Sequence, residues 1–243
     1  MPDVVAIIPA RYGSTRFPGK ALADIGGKTL IRHVYERVAR SGAVARVAVA
    51  TDDERIAREV EGFGGTVVMT SPLHRSGTDR VVEAAHITGG DIIVNVQGDE
   101  PLIDPLVIGY VVKKLEEDDG IVCSTAAYLT DDEAVCLNPN NVKVVCDRSG
   151  RALYFSRSPL PVYRDRVFHS ALIHMGIYCF RKAFLDVYGG LEQTPLEKAE
   201  SLEQLRILEH GYKIGVVLAD HGEIGVDTPE DLEKVRRLMN GGE

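Results

Sequence analysis

The sequence predicts an α/β fold with a mainly parallel sheet; two observations predict it, and a third points to what one of its loops can bind. Short β-branched runs alternate with amphipathic helical segments through the first half of the chain. The run Ile92–Val96 is nearly continuous in apolar character, as parallel strands covered on both faces are. Finally, the loop after the first run gathers Arg11, Gly13, Ser14, Thr15, Arg16, Gly19 and Lys20, with no acid between Val4 and Asp24.

The elements follow in order. Val4–Ala10 reads as a strand. Thr29 to Ser41 reads as a helix, because Leu30, Val34 and Val38 recur at helical spacing. Val44 to Ala50 is a strand. Asp52 or Asp53 can cap the next helix, which runs toward Gly62 and stops near Gly64-Gly65. A short strand at Thr66 to Met69, a helix at Ser76 to Ala85, a strand at Ile92 to Val96 and a helix at Pro105 to Glu116 complete the regular half. The second half is less regular. Ile121 to Ala127, Val142 to Cys146, Ala152 to Arg157, Met175 to Phe180 and Ile214 to Ala219 read as strands. Leu196 to His210 reads as one long helix with Leu202, Leu205 and Leu208 inward and Glu197, Glu200, Glu203 and Glu209 on a solvated face. Pro229 to Met239 closes the chain as a helix. With no repeat or linker, the expected organisation is one domain over 1–243, its second half, roughly 120–215, elaborated.

The chain has 243 residues, enough for a core that needs no staples. Its net charge of −8 argues against non-specific nucleic-acid binding, which wants a basic stripe, but leaves room for a local basic pocket. The N-terminus lacks the basic region of a signal peptide, and no apolar stretch approaches the ~18 residues that span a bilayer. Cys123, Cys136, Cys146 and Cys179 are widely spaced with no C-x-x-C, which points to reduced thiols in a cytosolic protein rather than a zinc site.

Candidate chemistry concentrates where strands end. Glycine and serine let backbone N–H groups approach an anion, and Arg and Lys supply compensating charge, so the Arg11–Lys20 loop suits a polyphosphate. It is not a P-loop: Gly13 and Gly19 are one residue too far apart for G-x-x-x-x-G-K-[ST], and Ala21 replaces the hydroxyl. G-x-G-x-x-G and G-x-S-x-G are also absent. Gln97-Gly98-Asp99-Glu100-Pro101 closes the most hydrophobic strand, where a carboxylate can hold Mg²⁺ beside phosphates; the alternative is a plain turn. In Gly225–Asp231, Thr228, Pro229 and Asp231 are explained as a helix cap with its capping-box partner. That leaves Asp227 for a second metal carboxylate or for solvent. Ser76 and Arg80 open a helix whose N-terminus can cap itself or meet a nucleotide. Arg157 can grip a carboxylate and His174 can donate to sugar hydroxyls; each also has a structural reading.

Together, Ile8–Arg16 with Lys20, Ser76–Arg80, Val94–Pro101, Asn141–Val145, Ala152–Arg157, His174–Tyr178, Leu202–Arg206 and Gly225–Leu232 resemble the 3-deoxy-manno-octulosonate cytidylyltransferase (CMP-Kdo synthetase) family. The likeness covers essentially the whole chain in order; the first motif alone would also admit relatives such as acylneuraminate cytidylyltransferases. The resemblance implies a Rossmann-like three-layer nucleotidyltransferase fold with a mainly parallel mixed sheet, a homodimer, and Mg²⁺-dependent transfer of CMP from CTP to Kdo for lipopolysaccharide biosynthesis. It implies that Arg11, Gly13, Ser14, Arg16 and Lys20 bind CTP, with Ser76, Arg80 and Gln97 also at the nucleotide. It implies that Asp99 and Asp227 bind Mg²⁺, and that Gln97, Arg157, His174, Glu203 and Gln204 lie at the sugar. Lys20, Arg16 and Asp99 carry the chemistry in this reading. Phe17 and Ala21 stand where Leu and Pro are more usual, and Pro161 to Ala171 is short and divergent.

The expected reaction is in-line attack of the anomeric hydroxyl on the α-phosphorus, with pyrophosphate leaving. No side-chain general base is evident. Two rivals keep CTP and change the acceptor, to a sialic acid or an 8-amino Kdo analogue. A third, a CTP sensor without turnover, is disfavoured by retention of Lys20 and both aspartates.

Overall fold

The computed structural model describes residues 2–13, 16–74, 76–239 and 241. The chain partitions into two compact units, Met1–Gly109 with Glu223–Glu243, and Tyr110–Gly222. The stretch read from sequence as elaborated falls within the second.

In the first unit, β1 (Val4–Ala10) is buried at all seven positions. It pairs in parallel with β4 (Arg46–Thr51) on one side and β6 (Ile92–Asn95) on the other, and β4 pairs in parallel with β5 (Val67–Met69). The local order is therefore β6-β1-β4-β5. A small antiparallel ribbon, β2 (Asp24–Ile25) with β3 (Lys28–Thr29), lies between β1 and the first helix in sequence.

Helices connect the parallel strands. α1 (Leu30–Ala39) buries Leu30, Ile31, Val34 and Val38. This is the periodicity that predicted it. α2 (Glu54–Gly62) starts at Asp53, whose carboxylate accepts from the Arg55 amide at 2.9 Å. α3 (Gly77–Thr88) is capped by Ser76, which accepts from the Asp79 amide at 3.1 Å. From β1 the chain proceeds outward to β4 and β5, then returns to place β6 on the other flank of β1. This reversal makes a topological switch point between β1 and β6, where open α/β sheets bind ligands beyond the carboxyl ends of their strands. The closing helix α9 (Pro229–Met239) belongs to this unit.

The second unit has a mixed sheet. β7 (Cys123–Thr130) pairs in parallel with β11 (Ile214–Ala219) and antiparallel with the long β10 (Ala171–Arg181). β8 (Lys143–Cys146) joins β10 and β9 (Ala152–Ser156), both antiparallel. The pairing of β10 with β7 is irregular between Met175 and Tyr178, directly after His174. α4 (Pro105–Glu117) leads into this unit, and α5 (Glu133–Leu137) and α6 (Lys182–Tyr188) are short helices the sequence pattern did not signal.

One expectation is corrected. The long helix read at Leu196 to His210 is two helices, α7 (Pro195–Glu200) and α8 (Gln204–Glu209), divided at Ser201 with φ of 52°. The acidic face is solvated only in part, with Glu209 exposed. Glu197 is buried and grips Arg206 through contacts of 2.5 and 2.8 Å. In one continuous helix those residues would stand about 13.5 Å apart along the axis and on opposite faces, so the break is what lets them meet. Glu200 turns toward β9 instead. It accepts from Ser156 Oγ at 2.6 Å and from the Arg157 amide at 2.8 Å.

Candidate active site

Lys20 reaches its place by a tight reversal after β1. Gly19 adopts φ of 73°, a left-handed conformation that favours glycine, and its amide donates to the Tyr12 carbonyl at 2.9 Å. A 3-10 turn at Lys20–Leu22 follows. On the neighbouring strand, Gly98 lets the chain leaving β6 run against the end of β1: a Cβ there would lie 2.8 Å from the Pro9 carbonyl oxygen. Asp99 comes next. The start of α9 arrives by a main-chain bond, the Val226 amide donating to the Asp99 carbonyl at 2.8 Å.

These approaches converge three charged groups. Lys20 Nζ lies 2.6 Å from Asp99 Oδ2 and 3.0 Å from Asp227 Oδ1, and it donates to the Val226 carbonyl at 3.1 Å. The three N–H bonds of the ammonium are thereby committed. Arg16 Nη2 adds a contact of 3.0 Å to Asp227 Oδ2. Burial acts to lower the Lys20 pKa, but Asp99 and then Asp227 outweigh it and raise the value above the ordinary one. Lys20 is therefore a fixed cation across the neutral range. The capping box read at the start of α9 is present. Asp231 accepts from the Thr228 amide at 2.9 Å, and Thr228 Oγ1 accepts from the Asp231 amide at 3.2 Å. Asp227 takes no part in the cap through its carboxylate and faces the cations.

The carboxylate pair fits the chemistry of Mg²⁺. Its hard oxygen donors are partly open, with side chains 30% and 48% exposed for Asp99 and Asp227, and together they hold one ammonium between them. A cation that keeps waters and takes its remaining ligands from substrate phosphates needs no more than such a pair. Among the described residues, no three His, Cys, Asp or Glu groups gather into a dedicated metal cage.

The other expected nucleotide residues divide. Arg11 and Gly13, in the loop, are exposed. Ser14 lies outside the described residues. Ser76 is engaged as the α3 cap, and Gln97 approaches that helix start, its Oε1 3.6 Å from where a Gly77 Cβ would stand. Arg80 is buried, donating to Thr70 Oγ1 and lying 3.2 Å from Asp52 Oδ1.

The residues expected at the sugar, Gln97 apart, belong to the second unit. Arg157 donates through Nε to the Glu200 carbonyl at 2.8 Å and through Nη1 to the Pro139 carbonyl at 3.1 Å. This uses part of its fork of five N–H donors. Lys143, buried beneath it, donates to the carbonyls of Arg157 at 2.5 Å, Asn141 at 2.6 Å and Asn138 at 3.1 Å. His174 Nε2 lies 2.9 Å from Thr125 Oγ1. Thr125 has one hydroxyl proton and spends it on the Ile177 carbonyl at 2.6 Å, so the imidazole nitrogen is the donor in that pair. Burial pushes the His174 pKa down to about 3, which keeps the ring neutral. Glu203 immediately precedes α8, and Gln204, its first residue, is buried.

Two acids were given no role in the sequence reading. Glu100 is held well above the usual carboxylate range by burial, then by Glu223 and Asp99. Glu223 accepts from the Asp104 amide at 2.7 Å and is pushed up to about 7, chiefly by burial. Burial and the two neighbouring carboxylates thus disfavour charge on Glu100 beside Asp99. Its place in Gln97–Pro101 was the only available signal.

Comparison with known proteins identifies the family. The family described as Cytidylyltransferase matches residues 5–214. The chain is 53% identical to the 3-deoxy-manno-octulosonate cytidylyltransferase of Geotalea uraniireducens, over 96% of this chain and 97% of that protein. It is 52% identical to the enzyme of the same name from Geobacter sulfurreducens, over 96% and 98%. A solved CMP:2-keto-3-deoxy-manno-octonic acid synthetase complexed with CTP superposes with a TM-score of 0.95 at 44% identity, covering 98% of this chain and 99% of that one. The chain belongs to the 3-deoxy-manno-octulosonate cytidylyltransferase family, with the Rossmann-like nucleotidyltransferase fold of that synthetase.

Proposed function

We propose that this chain transfers CMP from CTP to the anomeric hydroxyl of 3-deoxy-manno-octulosonate, releasing pyrophosphate. The observation that carries the proposal is the convergence of Lys20, Asp99 and Asp227 at the switch point of the first unit. It is supported by the relatives' names and by the synthetase solved with CTP.

The chemistry is charge management. The triphosphate repels an anionic sugar acid, and negative charge grows on the departing pyrophosphate. Lys20 and Arg16 present fixed positive charge to those oxygens. CTP competes with Asp99, Asp227 and the Val226 carbonyl for the Lys20 ammonium, so the cation stands preorganised until phosphate arrives. Gly13 offers an open backbone approach, whereas the Gly19 amide is spent within the loop. Asp99 and Asp227 would hold Mg²⁺, which when bound neutralises phosphate charge. In the second unit, the Arg157 guanidinium keeps N–H donors for the sugar carboxylate, and neutral His174 keeps an imidazole nitrogen for its hydroxyls.

No helix among the described residues is long and apolar enough to cross a membrane, and the four cysteines are free thiols. Those thiols support a cytoplasmic setting for the enzyme. A homodimer is the assembly proposed from the resemblance, and sedimentation equilibrium reads it directly.

The test of function is pyrophosphate release with CTP and each of Kdo, its 8-amino analogue and a sialic acid. Turnover with Kdo far above the other two is expected. Binding of CTP with no turnover on any acid would contradict the proposal.

A further inference from the structure

Tyr12 has no role in the account so far, yet it sits in the loop that delivers Arg16 and Lys20. Two groups press on its ring. The Arg55 guanidinium carbon lies 3.2 Å from the ring centroid. A Cβ built on Gly19 would meet the ring at 3.1 Å, so any larger residue there would displace it. The Tyr12 backbone closes on the same glycine, accepting from the Gly19 amide at 2.9 Å.

Arg55 is itself anchored. Asp53 accepts from its Nε at 2.9 Å and from its Nη2 at 2.6 Å, a two-point grip that fixes the plane of the guanidinium. Asp53 also caps α2. A chain of contacts thus runs from the first turn of α2 through Asp53, Arg55, Tyr12 and Gly19 to Lys20. The guanidinium edge faces a carboxylate, which leaves its face for the aromatic ring.

We infer that Tyr12 is a positioning residue: its ring, held by Arg55 and packed against Gly19, fixes the path of the loop so that Lys20 meets Asp99 and Asp227. This rests on the reading of Lys20 as the cation that serves the triphosphate. A cation prepared in place acts in the transition state without reorganisation, and a displacement of about 1 Å can cost a large factor in rate. The ring supplies this function, not the hydroxyl.

The experiment compares Tyr12→Phe, Tyr12→Leu, Arg55→Leu and the Tyr12→Leu/Arg55→Leu double variant, with Lys20→Met in parallel. Turnover and KM for both substrates, calorimetric CTP affinity and melting temperature are measured on the full chain. Tyr12→Leu is expected to lower kcat by about tenfold or more and to weaken CTP binding, with KM for the sugar acid unchanged. Tyr12→Phe should stay within about twofold of the parent. Arg55→Leu should move in the same direction as Tyr12→Leu, and the double variant should fall no further, because both remove one brace.

A folded Tyr12→Leu protein with parental kcat and CTP affinity would overturn the inference, as would Tyr12→Phe as damaged as Tyr12→Leu. Should Tyr12→Leu fail to fold, Arg55→Leu decides, since its side chain is half exposed: parental kcat and CTP affinity there would overturn the inference. Activity retained by Lys20→Met would instead remove the reading of Lys20, while CTP affinity of the Tyr12 variants still reads the brace.

Discussion

Lys20 Nζ and Asp99 Oδ2 stand 2.6 Å apart, although one follows the first strand and the other the fourth parallel strand of the first unit. The contact exists because two strand ends lie side by side where the strand order reverses. It places a cation and a carboxylate at the position where this architecture receives ligands.

Lys20→Met is expected to depress the chemical step by about 10²- to 10³-fold, the usual effect of losing one preorganised group that stabilises developing charge. Asp99 and Asp227 are partly solvated, so melting temperature should change far less. Rapid-quench measurement of pyrophosphate formation beside a thermal melt checks both. An equal loss of stability and rate would assign the lysine a structural role.

Gly98→Ala should destabilise the first unit by about 1–3 kcal/mol and lower turnover together. The added Cβ would stand 2.8 Å from the Pro9 carbonyl, a backbone atom that cannot swing aside. Urea unfolding and steady-state turnover measure the two effects. A variant of parental stability would mean that the strands separate without strain.

Arg206→Leu should cost about 3–5 kcal/mol, because it leaves the buried Glu197 carboxylate without its partner. The Glu197→Leu/Arg206→Leu pair should be much milder. Denaturant titration of the three proteins checks this, and equal losses for the single and the pair would contradict it.

Acid should weaken the fold through His174. Its folded pKa of about 3 lies below the unfolded value near 6.5. Between those values the unfolded chain binds a proton that the folded one does not, so stability falls as pH drops below about 6.5 and the effect levels off near 3. At pH 5 the loss is about 2 kcal/mol. Glu223, pushed up to about 7, and Glu100, raised as well, take up protons in the folded state and act in the opposite direction over this range. The His174 contribution is therefore read as the difference between the parent and His174→Asn in urea unfolding at pH 7.5 and pH 5. An identical pH dependence in the two proteins would contradict the assignment.

The legibility of the chain follows the kind of pattern each element carries. β1, α1 and α9 were readable because their burial repeats along the local sequence. Asp227 was singled out by elimination: the cap used Thr228, Pro229 and Asp231 and left over a carboxylate, which the structure turns to Lys20 and Arg16. Glu197 and Glu200 were misread as solvated because an acidic stripe looks alike whether water or Arg206, Ser156 and the Arg157 amide answer it. The break at Ser201 has no local signature, since its cause is an ion pair across the break and hydrogen bonds from β9. Glu100 and Tyr12 gain their character from burial and from Arg55, which periodicity does not report.

The most direct test is pyrophosphate release from CTP and Kdo, titrated with Mg²⁺, for Asp99→Asn, Asp227→Asn and the double variant. Residues that act as one unit lose function non-additively. Each single variant should fall steeply and need more Mg²⁺, with the double variant within about threefold of the worse single. Near-parental turnover in either single variant, or losses that multiply in the double, would contradict a single shared site.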